Sequence, residues 1–510
     1  MVLSILIGLP LAGALLVAMF PQPRISRVLS LLVSGTAFVF SLLLYTRFDL
    51  SDAGFQFKEQ ANLVPSLGIH YSVGLDGLSL WLILLTTFLT PLVILGSFRA
   101  VEKNVRGYYA CLLILESSVV GTLASTDLFL FYLFWELMLI PAFFLIGLWG
   151  GKNRVQATLK FVLYTMFGSL LMLVGLLYIT HEVKSFDYTM IFDHYFPEDV
   201  QFWCFLAFGL AFLIKVPLVP FHAWLPDAYT EAPAGATVYL SAILVKLGAY
   251  GLLRFCIPLF PTAAKDFAPA LMILAVVGVV HGALMASIQT DFKRMTAYSS
   301  LSHMGLIVFG IFTFTASGLQ GSLYLMVAHG VYMAGIFLLI GMLYERVQSH
   351  QMSDYGGLAK TMPLFAAMFL WIMVAAAGIP GFTGFVGEIL ILVSAYKIAP
   401  VLAVIAIIGF VLSAWYLFNL YGRLFFGAPK KKDGPKVHDL TFRGGMVLLP
   451  LALLVLWMGL TPNFFLRPTE KSLQLNVIEK LKPPPVMTDF AAQQRRIQEE
   501  VEKDNKRSHR

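Results

Sequence analysis

Lys215 lies inside an apolar run, Ala211-Phe-Leu-Ile-Lys-Val-Pro-Leu-Val-Pro220, and Pro217 and Pro220 follow it at once. A second apolar run repeats the pattern with the opposite charge: Ala375-Ala-Ala-Gly-Ile-Pro-Gly-Phe-Thr-Gly-Phe-Val-Gly-Glu388. Three more ionisable groups have similar surroundings: Glu116, Glu136 in Phe131-Tyr-Leu-Phe-Trp-Glu-Leu-Met-Leu-Ile-Pro141, and Lys246 in Ala242-Ile-Leu-Val-Lys-Leu-Gly-Ala-Tyr250. A charge at bilayer depth opposes insertion by roughly 2.5–3.5 kcal/mol. If each of these groups stood alone, their total would be on the order of 10 kcal/mol, comparable to the whole stability of many proteins. Partners or water must therefore compensate them.

The chemistry open to such groups is proton transfer. Burial disfavours the charged form of a lysine and a neighbouring carboxylate favours it, so changing their separation switches the amine between uptake and release. Glu136 is the expected partner of Lys215 across the bundle. His281, His303 and His329 populate later apolar runs, and an imidazole titrates near neutrality with two nitrogens able to relay a proton. Tyr298, Ser299, Ser300 and Ser302 around them can hold intervening waters. In order, Glu136, Lys215, Lys246, the histidines and Glu388 form a candidate polar path, with His222 and Glu116 as further candidates. Structural readings stand beside these. A buried Glu–Lys pair can serve only to fix packing, a lone histidine on an apolar helix is commonly a satisfied core residue, and Glu116 has no evident partner. Asp291, Lys293 and Arg294 read as a loop anchor at the membrane surface, and Lys430–Lys432 as a solvated charge run.

The elements that must position these groups follow from composition. Hydrophobic residues make up 58% of 510 and charged residues 13%, which no soluble fold can accommodate, so the chain is a polytopic membrane protein. The net charge of +7 reads as loop topology rather than a nucleic-acid surface, because most basic residues fall in short loops between apolar runs. The three cysteines, Cys111, Cys204 and Cys256, form no Cys-x-x-Cys pair. No phosphate loop or dinucleotide fingerprint appears in a soluble stretch, so no cofactor or metal is expected in this chain.

Runs long enough to cross a core of about 30 Å occur near 2–20, 27–46, 76–97, 107–124, 128–149, 156–181, 201–225, 234–258, 268–289, 295–315, 319–345, 363–395, 399–425 and 444–466. The expected fold is an all-α membrane protein with about 14 transmembrane helices, two of them broken. Residues 1–20 read as a retained first span, since they lack a basic leader region. A single membrane domain is expected over 1–466, followed by a polar tail over 467–510 whose end, near 491–503, reads as a short amphipathic helix. The two broken segments are each fourth in a unit of five spans, about 107–258 and 268–425, which is the mark of inverted repeats. One set of alternate loops holds Arg24, Arg99, Lys103, Lys152, Arg294 and Lys430–Lys432, whereas the other holds Arg47, Lys58, Lys184, Arg254, Lys265 and Lys397 among fewer basic residues. The richer side is expected to face the cytoplasm, with both termini outward. The loop over 48–75 is expected to lie across one face.

Several stretches resemble a known family: Phe134-Trp-Glu-Leu-Met-Leu-Ile-Pro141, Lys215-Val-Pro-Leu-Val-Pro-Phe-His-Ala-Trp-Leu-Pro-Asp227, Asp291-Phe-Lys-Arg-Met-Thr-Ala-Tyr-Ser-Ser-Leu-Ser-His-Met-Gly305 and Gly378-Ile-Pro-Gly-Phe-Thr-Gly-Phe-Val-Gly-Glu388. They are similar to the antiporter-like membrane subunits of proton-pumping NADH:quinone oxidoreductase, respiratory complex I, over roughly residues 70–425. The M (chain 4) branch fits best, because Glu388 stands where the sister subunits L and N, and the multisubunit cation/proton antiporters, are expected to carry lysine. The resemblance implies an antiporter-like fold of fourteen helices with two inverted five-helix repeats. It implies proton-transfer roles for Glu136, Lys215, Lys246, His303, His329 and Glu388, and it leaves His281 and Glu116 unplaced. It also implies that flavin, iron–sulfur clusters and quinone sit in partner subunits, that L and N are neighbours, and that the membrane is the bacterial inner membrane or an organellar one. A subunit of a multisubunit cation/proton antiporter is the alternative reading.

Overall fold

The computed structural model describes residues 1–65, 68–428 and 438–482. Lys430–Lys432, Pro483-Pro484-Pro485 and the expected amphipathic helix near 491–503 lie outside them. Among the described residues ten helices are long and apolar enough to cross a membrane, including Val105–Ala124, Arg154–Val183, Pro261–Ile288 and Pro400–Phe425. The other expected crossings fall on shorter or more polar helices: Leu80–Gly96, Glu198–Lys215, Phe292–Ile311, and Pro363–Ala376 with Thr383–Ile398.

Burial sorts the helices into an inner and an outer set. The most apolar windows of Ala234–Leu259 and Ala316–Val347 are 100% buried, whereas those of Pro23–Thr46 and Pro400–Phe425 are 33% buried. Outer helices turn large apolar side chains outward, such as Leu163, Val174, Val401 and Val411, as a bilayer-facing surface requires. The inner helices carry buried titratable side chains, among them Lys246, Arg254 and His329.

Both breaks occur where proline and glycine interrupt the apolar runs. The first helix ends at Lys215 and resumes as Trp224–Glu231. The Trp224 indole N–H donates to the Ile214 carbonyl at 2.9 Å and so satisfies one acceptor that the break leaves exposed. The second break separates Pro363–Ala376 from Thr383–Ile398, with Gly378 at φ +66° and Gly381 at φ +91°. Only glycine adopts such backbone without strain. Two π-helical turns, Leu240–Leu244 and Leu252–Cys256, flank the segment Val245–Gly251 that carries Lys246. Sequence periodicity did not indicate them.

Outside the bundle the loop over 48–75 folds as an antiparallel hairpin of β1 (Gln56–Val64) and β2 (Ile69–Leu75), with Ala61 opposite Tyr71. The C-terminal helix Pro462–Leu473 runs through the domain boundary placed at 466, and its Phe465 carbonyl accepts from the Trp81 indole at 2.9 Å. Residues 467–482 are therefore packed onto the bundle rather than separate from it.

Glu59 on β1 ties the hairpin to the first helix. Its carboxylate accepts from Leu3 N at 3.0 Å, Ser4 N at 3.2 Å and the Ser4 hydroxyl, beside the terminal ammonium at 2.9 Å. Burial opposes ionisation, but these donors outweigh it and hold the carboxyl below its usual range. A depressed carboxylate pKa contributes stability that is full above the unfolded-state value and is lost as pH falls through the folded one. Relative to the intrinsic exchange rate at each pH, protection of the Leu3 and Ser4 amides is thus expected to fall on acidification. In Glu59→Gln that protection is expected to be low already at neutral pH and independent of pH, as hydrogen-exchange mass spectrometry would show.

Candidate proton-transfer site

Four of the candidate residues meet in one line. Lys246, 1% exposed, places Nζ 2.5 Å from His329 Nδ1 and also donates to the carbonyl of Ser241 in the first π-helical turn. The His329 and His303 rings are 5.6 Å apart, with the Tyr332 ring 5.3 and 5.8 Å from them. His303 Nε2 lies 3.4 Å from Glu388 Oε1. The first and last of these contacts join helices far apart in sequence, and every member is buried.

The hydrogen bonds decide where protons can sit. His303 Nδ1 is 2.9 Å from the Ser299 carbonyl, an acceptor only, so Nδ1 carries a hydrogen and Nε2 faces Glu388. A favourable contact there requires one proton between the pair, on the carboxyl or on the imidazole. At the other end, an ammonium on Lys246 donates to His329 Nδ1, which places the neutral imidazole's hydrogen on Nε2. Nearby, Tyr416 donates to the Ser299 hydroxyl at 2.8 Å. The Ser300 hydroxyl, Tyr332 hydroxyl, His329 Nε2 and both Glu388 oxygens have no protein hydrogen-bond partner among the described residues.

The second break sets the Glu388 carboxyl. A Cβ on Gly378 would lie 2.2 Å from Glu388 Oε2 and 2.3 Å from the Phe410 ring. On the other side, a Cβ on Gly387 would meet the Leu325 backbone at 3.1 Å, so the Glu388 helix packs tightly on Ala316–Val347, the helix that bears His329.

Lys215 and Glu136 are arranged differently from the direct pair expected. Lys215 is 4% exposed and its ammonium sits 5.0 Å above the Trp135 ring. Among the described residues no carboxylate lies within 4.0 Å of it. The indole occupies that seat, and the half-buried Glu136 acts on Lys215 electrostatically rather than by contact. The two lysine-bearing segments press together: a Cβ on Gly248 would lie 2.6 Å from the Phe212 carbonyl, and one on Gly251 2.4 Å from the Phe212 ring.

His222 and His281 stand apart from this line. Their rings lie 5.0 Å from each other, both half-buried. In the same region Asp227 pairs with Lys160 at 2.7 Å and with Arg294 at 3.2 Å. Glu116 is fully buried near Thr90 and Tyr239, and neither of its oxygens finds a hydrogen-bond partner among the described residues. Asp291 caps the helix Phe292–Ile311 by accepting from Lys293 N and Arg294 N, and Lys293 donates to the Thr230 carbonyl at 3.0 Å. Lys293, read from sequence as part of a surface anchor, is 3% exposed and ties its helix to the Thr230 and Ala232 carbonyls.

Sequence reasoning missed one buried pair. Arg254, taken as a loop charge, is 2% exposed and forms a bidentate pair with Asp76 at 2.8 and 2.5 Å. The signal was present in the apolar residues that surround Arg254. Among the described residues no three His, Cys, Asp or Glu side chains gather as a metal site would require.

Residues 125–413 match the family profile described as NADH:quinone oxidoreductase/Mrp antiporter, TM, and residues 5–122 match that of NADH-ubiquinone oxidoreductase chain 4, amino terminus. The chain is 39% identical over 474 residues to NADH-quinone oxidoreductase subunit M of Rickettsia bellii, covering 91% of this chain and 96% of the relative. The chain belongs to the subunit M (chain 4) family. An organellar member, chain 4 of Marchantia polymorpha, is 40% identical over 467 residues, covering 91% and 94% of the two chains. Among solved structures, a chain of respiratory complex I from Thermus thermophilus superposes with TM-score 0.86 at 35% identity, covering 95% of this chain and 100% of that one. A chain of the Mrp complex from Dietzia sp. shares the fold, with TM-score 0.83 at 21% identity, covering 94% and 98% of the two chains.

The glycine geometry of this subunit M family member is testable. Gly378→Ala carries a left-handed backbone cost of about 1–2 kcal/mol and drives its methyl group into Glu388. Gly381→Ala, with nothing within 4 Å of its Cβ, carries the backbone cost alone. Thermal unfolding in detergent is expected to show the larger loss for Gly378→Ala, and only that variant should impair proton movement.

Proposed function

We propose that this chain is a proton-translocating, non-redox membrane subunit of an NADH:quinone oxidoreductase. The observation that carries the reading is the buried line Lys246–His329–His303–Glu388, in which each titratable group lies beside the next. Flavin, iron–sulfur clusters and quinone belong to partner subunits, so electron transfer acts here at a distance, as an electrostatic or conformational change. Protons load onto Lys215 under the influence of Glu136, pass to Lys246 and the histidines, and leave from Glu388. The unpartnered oxygens of Glu388, Tyr332 and Ser300 support hydration of this lane, since buried polar groups without protein partners are satisfied by internal water.

In this reading the shorter and broken helices complete about fourteen crossings in two inverted five-helix repeats. The basic-rich loops face the cytoplasm or its organellar counterpart, and the termini face the opposite side. Sister subunits L and N are the neighbours, in a bacterial inner membrane or an organellar energy-transducing one.

Lys246→Ala, Lys215→Ala and Glu136→Ala are each expected to leave the complex assembled and NADH oxidation by uncoupled membranes intact. Loss of a positioned acid–base group slows its proton step by on the order of 10²–10⁴. The measured protons translocated per NADH should therefore fall in vesicles that hold a gradient. An unchanged ratio for Lys215→Met would mark the chain as a scaffold. Sodium–proton exchange by vesicles without an electron donor would favour the antiporter reading.

A further inference from the structure

The Asp76–Arg254 pair is the centre of a hub that the proton path does not use. The Arg254 guanidinium is enclosed by the rings of Phe55, Tyr250 and Tyr188 at 5.0, 5.3 and 5.6 Å. Its Nε donates to the Tyr250 hydroxyl at 3.0 Å, and the Tyr188 hydroxyl donates to the Arg254 carbonyl at 2.8 Å. The C-terminal segment closes the hub from outside. Asn476 Nδ2 donates to Asp76 Oδ2 at 3.1 Å and to the Ala53 carbonyl at 3.0 Å, while Gly77 N donates to the Ser472 hydroxyl at 2.9 Å. A Cβ on Gly77 would lie 2.1 Å from the Pro468 carbonyl, so the segment packs directly on the backbone beside Asp76.

Arg254 belongs to the second π-helical turn, Leu252–Cys256, and Lys246 lies between that turn and the first. Eight residues separate the two side chains, about 12 Å along a helix. A π turn holds one residue more than the regular ladder. Relaxing either turn to α-helix would rotate the intervening segment by about 100°. Such a rotation would carry Lys246 away from His329, although the two are now 2.5 Å apart. Gly248 and Gly251 face Phe212 with almost no clearance, so this segment and the Lys215 helix must move together.

We propose that the C-terminal segment 462–482 is a strap: acting through Asn476, Ser472 and the Asp76–Arg254 pair, it holds the second π turn and so positions Lys246 against His329. This deepens the proton-transfer reading and rests on it. Asp76, Arg254 and Asn476 are positioning residues that do not themselves carry protons.

The test uses the assembled complex in native membranes with three variants at Asn476. Asn476→Leu removes both of its hydrogen bonds, Asn476→Asp sets a second carboxylate against Asp76, and Asn476→Gln retains the amide donor. Amide exchange over residues 240–256 is expected to rise at least tenfold in the Leu and Asp variants and to stay near the parent rate in Gln. Protons per NADH, per assembled complex, should fall in the first two to the level of Lys246→Ala, and Asn476→Asp combined with Lys246→Ala should fall no further. Unchanged exchange overturns the strap. Raised exchange with a parental proton ratio, while Lys246→Ala lowers that ratio, overturns its role in positioning. If exchange rises and Lys246→Ala itself pumps normally, the strap stands and the proton-path reading fails.

Discussion

A charged or titratable side chain in an apolar interior must find a partner there, because the surrounding medium offers none. The contact between Lys246 and His329 meets that requirement in the middle of the bundle. Most of the architecture can be understood as what holds those two groups together. Ala234–Leu259 carries one and Ala316–Val347 the other, and among the ten candidate spans of the described residues these two have completely enclosed apolar windows. The outer helices supply the apolar coat that lets a polar lane exist inside a membrane protein.

Regular helices alone would not bring the remaining groups into line. A continuous helix keeps its carbonyls bonded to its own amides, so it has little to offer a neighbouring side chain. The fold departs from regularity beside both lysines and Glu388: π turns on either side of Lys246, a break directly after Lys215, and a glycine-rich break just before Glu388. Each departure frees backbone polar groups or room for a side chain, and tight glycine packing keeps it in place. The tolerance is local, since irregular backbone at membrane depth survives only where protein encloses it.

Much of the site was legible in the chain. Charges within apolar runs are rare enough that Lys215, Lys246 and Glu388 identified themselves, and the prolines and glycines beside two of them marked both breaks. His303 and His329 were harder to separate from ordinary core histidines, because nothing in their own helices says what they face. The direct Glu136–Lys215 contact did not form: Trp135, adjacent to Glu136, takes the place above the ammonium. Arg254 was counted with the loop charges of one face, yet Asp76 draws it into the interior. That residues 467–482 pack on the bundle was not legible, because composition reports solubility and not docking.

By itself the sequence determined the membrane class, the approximate positions of the helices, their interruptions and the kind of chemistry at stake. These depend on hydropathy and on residues whose backbone limits are intrinsic. Only the tertiary structure decided which groups touch: Lys246 with His329, His303 with Glu388, Arg254 with Asp76, and Asn476 with both Asp76 and Ala53. The physical reason is that these contacts join segments far apart in the chain, from 83 residues for Lys246–His329 to 423 for Asn476–Ala53. Their meeting depends on how helices rotate and pack against one another, which no periodicity within a single helix encodes.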